Sequence, residues 1–175
     1  LFVDAVTILV CVSWAIARGS DAVSGELGRG TLELLLAQPV RRATVLVVQA
    51  AVTTCGSALL AAAVLAGLWL GLDTVHAEEE LPIGQFVPSA LNLFGMMFCV
   101  AGYTTALSAC DRERWRTIGF ATGVFVVSLV IKLVSRTWPA GKWLVYLSFL
   151  GAFEPHNLVT QPDDAWSTVG RYLAV

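Results

Sequence analysis

Charge is scarce in this chain: 14% of its 175 residues are Asp, Glu, Lys or Arg, against about a quarter in a soluble domain. With 57% hydrophobic residues and a mean hydropathy of +0.73, that shortage excludes an ordinary water-soluble fold and places the chain in the membrane class. A basic footprint is missing too. The formal net charge is -2, the pI is about 5.6, and no stretch interleaves Lys or Arg with aromatic rings, which excludes nucleic acid as a partner. The four cysteines, Cys11, Cys55, Cys99 and Cys110, stand singly in apolar surroundings, with no CxxC pair and no histidine at ligand spacing. A disulfide framework and a zinc site are therefore not expected, and packing is left for side chains that behave as small hydrophobes.

The residues of chemistry are missing as well. No GxxxxGK[ST] occurs, so the chain has no loop of that kind to cradle a nucleotide phosphate. Histidine is limited to His76 and His156, both in segments expected outside the membrane. Ser57, Ser108 and Ser128 are thereby left without a base at membrane depth, and no catalytic, cofactor-binding or metal-ligating residue is expected. His76 precedes Glu78, Glu79 and Glu80, a grouping that fits a solvated acidic loop better than a cation site. No charged n-region and small-residue cleavage site marks a signal peptide.

What the sequence has in abundance is long apolar runs. A spanning helix needs about 20 mostly apolar residues, because hydrocarbon satisfies no exposed backbone group. Four runs qualify: 1–17, which starts inside an apolar stretch, 45–72, 86–110 and 117–134. The expected fold is all-α, a polytopic transmembrane helical bundle forming one domain over 1–175. A fifth run, 143–153, is too short to cross and is expected as an outer interfacial or re-entrant helix. The stretch from Trp166 to Val175 resembles the start of a last span. The chain is thus expected to be a fragment of a longer protein.

The loops set the orientation, since Lys and Arg stay on the cytoplasmic side. The segment 18–44 carries Arg18, Arg29, Arg41 and Arg42, and the turn 111–116 carries Arg112, Arg114 and Arg116. Both are expected in the cytoplasm. The segment 73–85 holds Asp73, Glu78, Glu79 and Glu80 with no Lys or Arg, so it belongs outside, as does the proline-broken hairpin region 135–165. Small residues form faces within the spans, at Gly67 and Gly71, at Gly119 and Gly123, and at Ala58, Ala62 and Ala66. Such faces let helices approach closely and are expected to pack within the molecule. Ionisable residues near span ends are Lys132, which can snorkel, and Asp4. Asp4 and Glu154 are the candidates for a substrate path.

The informative segment lies between the first two runs. Gly30 breaks the chain, Thr31 can cap a helix, Glu33 suits the positive end of the helix dipole, and Pro39 ends it. A helix of about two turns over 31–38 follows, carrying Leu32, Leu34, Leu35 and Leu36. Leucines so dense at a cytoplasmic surface need cover, either the membrane interface or another protein.

The run Glu26, Gly30, Thr31, Leu32, Glu33, Leu35, Leu36, Ala37, Pro39, Val40 and Arg42 resembles the signature E-x-x-x-G-T-L-E-x-L-L-A-x-P-V-x-R of type-2 ATP-binding-cassette (ABC) transporter permeases. The charged turn after the third run and the segment YLSFLGAFEPHNLV are also similar to that family. The resemblance covers nearly the whole chain, without the family's first span and most of its last.

It implies a membrane-spanning permease subunit in the inner (plasma) membrane, an exporter in direction, whose loop helix docks on a separate ABC ATPase subunit. The partner's docking set would be Glu26, Arg29, Gly30, Thr31, Leu32, Glu33, Leu35, Leu36, Pro39 and Arg42. ATP and Mg would be bound by that partner, with no cofactor in this chain, which would not itself be an enzyme. A second permease copy and membrane lipid complete the implied partners. The residues alone also fit a non-transporting membrane scaffold or sensor that recruits a cytoplasmic protein through the 31–38 helix.

Overall fold

The computed structural model describes residues 5–30, 42–75 and 86–137, with side chains over 6–30, 43–71 and 86–135. The described residues are helical except for short connections, and no strand occurs among them. Helix α1 (Ala5–Ser20) runs on through a π-helical turn, Asp21–Gly25, into a last α-helical turn, Glu26–Gly28. Helices α2 (Arg42–Val75), α3 (Val87–Cys110) and α4 (Arg114–Thr137) follow. Among the described residues, four helical stretches are long and apolar enough to cross a membrane, which makes the fold an all-α polytopic bundle.

Each helix forms because an apolar run in hydrocarbon has only its own carbonyls to bond. The boundaries follow local chemistry. Pro88 occupies the start of α3, where a missing N–H costs nothing, and the helix stops at Cys110 with Asp111 extended at φ -119°, ψ 145°. The helices outrun the apolar runs at their charged ends. Helix α4 takes in Arg114 and Arg116, and the segment 18–44, expected as a connecting loop, is helical as far as Gly28. Hydropathy falls where charge enters, but a helix continues into the headgroup layer because arginine can snorkel there.

Helix α3 is the centre of the bundle, packed most closely on α1 and also touching α2 and α4. Its Leu93, Met96, Met97 and Val100 are fully buried, against Cys11, Val12, Ala15 and Ile16 of α1. The outer faces of α2 and α4 are apolar and open, with Leu59 and Trp115 each 72% exposed, as expected where lipid is the neighbour. Close backbone approach happens at glycines other than the expected ones. A Cβ on Gly56 would come within 2.6 Å of the Trp14 ring. At Gly67, Gly71, Gly119 and Gly123 it would meet nothing within 4 Å among the described residues, and Ala58, Ala62 and Ala66 are exposed. The packing expected of those faces is therefore not made among the described residues.

The hairpin region 135–165 has its first three residues in α4. The rest of it, the short apolar run 143–153 and the final stretch lie outside the described residues, as do His76 and His156.

Candidate functional site

The arginine-rich ends of α1, α3 and α4 meet at one end of the bundle, and there the α1 and α3 backbones touch. A Cβ on Gly19 would sit 2.7 Å from Thr104 Cβ and 2.8 Å from the Ala101 carbonyl oxygen, so only glycine lets the two helices come this close. One turn later α1 widens into the π turn. In a regular α-helix the Ser24 amide would bond the Ser20 carbonyl. Here the Ser24 amide donates to Ser108 Oγ of α3 at 2.8 Å, and the Val23 amide donates to the same oxygen at 3.2 Å.

The Ser20 carbonyl also accepts from hydroxyls. Ser24 Oγ donates to it at 2.8 Å. Ser108 Oγ lies 3.1 Å from that oxygen and 3.0 Å from Ser24 Oγ, its single proton serving one of them at a time. Thr117 of α4 closes the cluster, its Oγ1 3.4 Å from Ser24 Oγ. Ser20, Ser24, Ser108 and Thr117 are all buried, none more than 1% exposed. Four hydroxyls from three helices thus sit inside an apolar bundle with mutual partners, the condition under which buried polar groups are tolerated. Further up the bundle, Tyr103 of α3 donates to the Ala121 carbonyl of α4 at 3.1 Å.

Outside this cluster lies a charged layer. Asp21 Oδ1 is 3.0 Å from Arg29 Nη1 and 3.5 Å from Arg114 Nη1. It makes no aligned hydrogen bond, so charge holds it. Arg29 also donates to Glu26 Oε1 at 2.8 Å. Contact with Asp21, and then with Glu26, pushes the Arg29 guanidinium further up from its strongly basic value, so it stays cationic at any physiological pH. Gly25 has no side chain to displace the Asp21 carboxylate, which folds back over it. Arg116 and Asp111 pair at 3.5 Å across the α3–α4 connection.

The helical extension then ends on a built stop. Gly30 has φ +71°, a left-handed conformation that a side chain would strain. Its amide donates to the Leu27 carbonyl at 3.1 Å, and the Arg29 amide donates to Gly25 at 3.2 Å. This is the glycine cap of a helix C-terminus.

Of the expected docking residues, Glu26, Arg29 and Gly30 come together here. Arg42 opens α2, its side chain outside the described set. Thr31, Leu32, Glu33, Leu35, Leu36 and Pro39, with the 31–38 helix itself, lie outside the described residues, as do Asp4 and Glu154. Lys132, near the far end of α4, is half-buried. The hydroxyl cluster, Asp21 and Arg114 were not expected. Ser20 and Ser24 stand four apart, one helical turn, but a segment taken for a loop hides that spacing.

The described residues offer little else for a ligand. A groove of about 270 Å³ runs between α2 and α3, lined by residues including Gln49, Thr53, Thr54, Phe98 and Thr105. No three His, Cys, Asp or Glu side chains among the described residues group as metal ligands. The four cysteines are unpaired, with Cys11 buried and Cys55 and Cys110 exposed.

The family model described as ABC-2 family transporter protein matches residues 2–160. No curated protein and no solved structure matches the chain. Four membrane-length helices, and a family match over most of the sequence, lead to one assignment: the chain belongs to the ABC-2 family and is a membrane permease of the ABC transporter type.

Proposed function

We propose that this permease is driven by a separate ABC ATPase subunit docking on the segment that begins at Glu26 and ends at Arg42, and that it works as an exporter. The single observation that supports this most is the rigid base under that segment. Helix α1 carries past the apolar region to Gly28, is tied to α4 by Asp21 and Arg114, and stops on the left-handed Gly30. Immediately after it come Thr31, Leu32, Glu33, Leu35 and Leu36.

A short amphipathic helix on such a base can bury leucines in a partner's groove and hand displacement back to the spans. Glu26 and Glu33 would meet the partner's rim, where charge steers association more than it adds affinity. Arg42 would hold the start of α2 at the headgroups. The partner binds ATP and Mg and performs hydrolysis, while this chain supplies no nucleotide site. A second permease copy completes the path, the arginine-rich end faces the cytoplasm of the inner (plasma) membrane, and Asp4 and Glu154 line the way out.

The test is retention of the ATPase subunit on the detergent-solubilised permease. Glu33→Ala with Leu35→Ala is expected to lose most of it, and Leu59→Ala on the lipid face none. Full retention by the loop variant would sink the docking role.

A further inference from the structure

We propose that the groove between α2 and α3 is a binding site for an anionic phospholipid of the leaflet at the arginine-rich end, with one acyl chain lying along the groove and the phosphate held by Arg18 and Gln49.

Two helical stripes facing each other build the groove. Leu46, Ala50 and Thr53 recur on α2 at helical spacing, and Phe98, Ala101 and Thr105 do so on α3. Seven residues of helix make it about 10 Å long, and it runs along the helix axes, as an acyl chain does. Thr53 and Ala101 are its buried floor, and Leu46 and Phe98, each about half exposed, are its rims. A mostly apolar cleft with a few polar groups at one end is the usual form of a small-molecule site.

Polarity changes along the groove. Thr53, Thr54 and Thr105 donate their hydroxyl protons to carbonyls of their own helices, at Gln49, Ala50 and Ala101, so none has a proton left for a ligand. The remaining donor is the Gln49 side chain, which lies nearer the arginine-rich end than the α2 threonines and bonds nothing among the described residues. Deeper in, the rim is the Phe98 ring.

The charge comes from α1. Arg18 stands four residues after Trp14, whose ring lies against Gly56 of α2, and one before Gly19, which lies against Ala101 and Thr104 of α3. At about 100° per residue it leaves α1 about 40° round from Trp14 toward Gly19, in the sector between α2 and α3 and level with the groove's floor. From there its long side chain can snorkel to the headgroups at the end of the groove. Arg29, Arg114 and Arg116 of the same end all pair with carboxylates. Arg18 is half-buried and pairs with none among the described residues. A guanidinium so placed suits a phosphate, whose oxygens match its fork of donors. A zwitterionic headgroup carries its own cation, which competes with Arg18, and a protein helix laid over the groove would cover Phe98 while giving Arg18 no anion.

The test uses the intact permease in phosphatidylcholine vesicles, with a trace of phosphatidylglycerol or of phosphatidylcholine carrying a diazirine on one acyl chain, and maps the photolabelled residues. Labelling at Leu46 and Phe98, relative to Leu59 on the lipid face, is expected to be about fivefold higher with phosphatidylglycerol, the worth of roughly one basic residue at an anionic surface. Arg18→Gln should abolish that preference and Arg18→Lys keep most of it. Gly102→Leu, whose side chain enters open space beside Phe98, should lower groove labelling by both lipids and leave Leu59 unchanged. If Arg18→Gln does not assemble, the wild-type comparison and Gly102→Leu decide. Equal labelling by the two lipids, a preference that survives Arg18→Gln, or groove labelling unaffected by Gly102→Leu would overturn the site. So would a groove left unlabelled while Leu59 is labelled, which would show protein covering it.

Discussion

Helices α2 and α3 are both long, apolar and free of charge through their middles, yet about 17% of the α2 window is buried and 44% of the α3 window. The difference lies in their small polar residues. Helix α3 brings Ser89, Asn92, Thr104 and Ser108 inward, all nearly or fully buried. In α2, Thr53 and Ser57 bond back to carbonyls of their own helix, at 2.9 Å each. Helix α3 has in Ser108 and Tyr103 two residues that bond to other helices, while Thr104, like Thr53 and Ser57 of α2, bonds back to its own helix, at the Val100 carbonyl 2.7 Å away. Lipid gives no hydrophobic drive toward either arrangement, so close backbone approach and interhelical hydrogen bonds decide which helix becomes the centre.

Three substitutions test that contrast. The largest effect is expected of Gly19→Val, whose new methyl groups would strike Thr104 and the Ala101 backbone. Overpacking against backbone should cost roughly 3 kcal/mol, seen as a clear drop in the midpoint of thermal unfolding in detergent. An unchanged midpoint would mean that α1 and α3 are not in contact there. Tyr103→Phe removes the hydroxyl that bonds the Ala121 carbonyl. A loss of about 0.6 kcal/mol is expected, the average for an interhelical bond in a membrane, and the same assay should place it well below Gly19→Val. The smallest effect belongs to Gly67→Ala on α2, where a Cβ meets nothing among the described residues. Stability should stay within about 0.5 kcal/mol of wild type. A large loss at Gly67 would show that this face is covered, and would erase the distinction between the two helices.

The spans were legible because the bilayer makes one rule dominant: about 20 apolar residues in a row. Their ends were not, since arginines at 18, 29, 114 and 116 signal a loop to hydropathy while the backbone continues helically through or beside them. That is also why the hydroxyl cluster was hidden. Ser20 and Ser24 belong to a helix only once 18–28 is known to be helical, and in the sequence Ser108 reads as a hydroxyl without a base, whereas it serves as a structural acceptor for two amides. The role of Gly30 as a breaker was readable because glycine is the residue for which a left-handed φ is cheap. The small-residue faces are a different case, since Gly67, Gly71, Gly119 and Gly123 meet no neighbour among the described residues. Gly67 and Gly119 look like interfaces by spacing, but the spacing does not say which face turns inward.

The central claim, that the segment after Gly30 meets an ABC ATPase subunit, is most directly tested by photocrosslinking in the native assembly. A photoreactive phenylalanine analogue placed at Leu35 should capture the ATPase subunit in high yield, while the same analogue at Leu59 on the lipid face of α2 should capture none. Crosslinks from Leu35 to lipid alone, with the ATPase subunit present in the same membrane, would contradict the account.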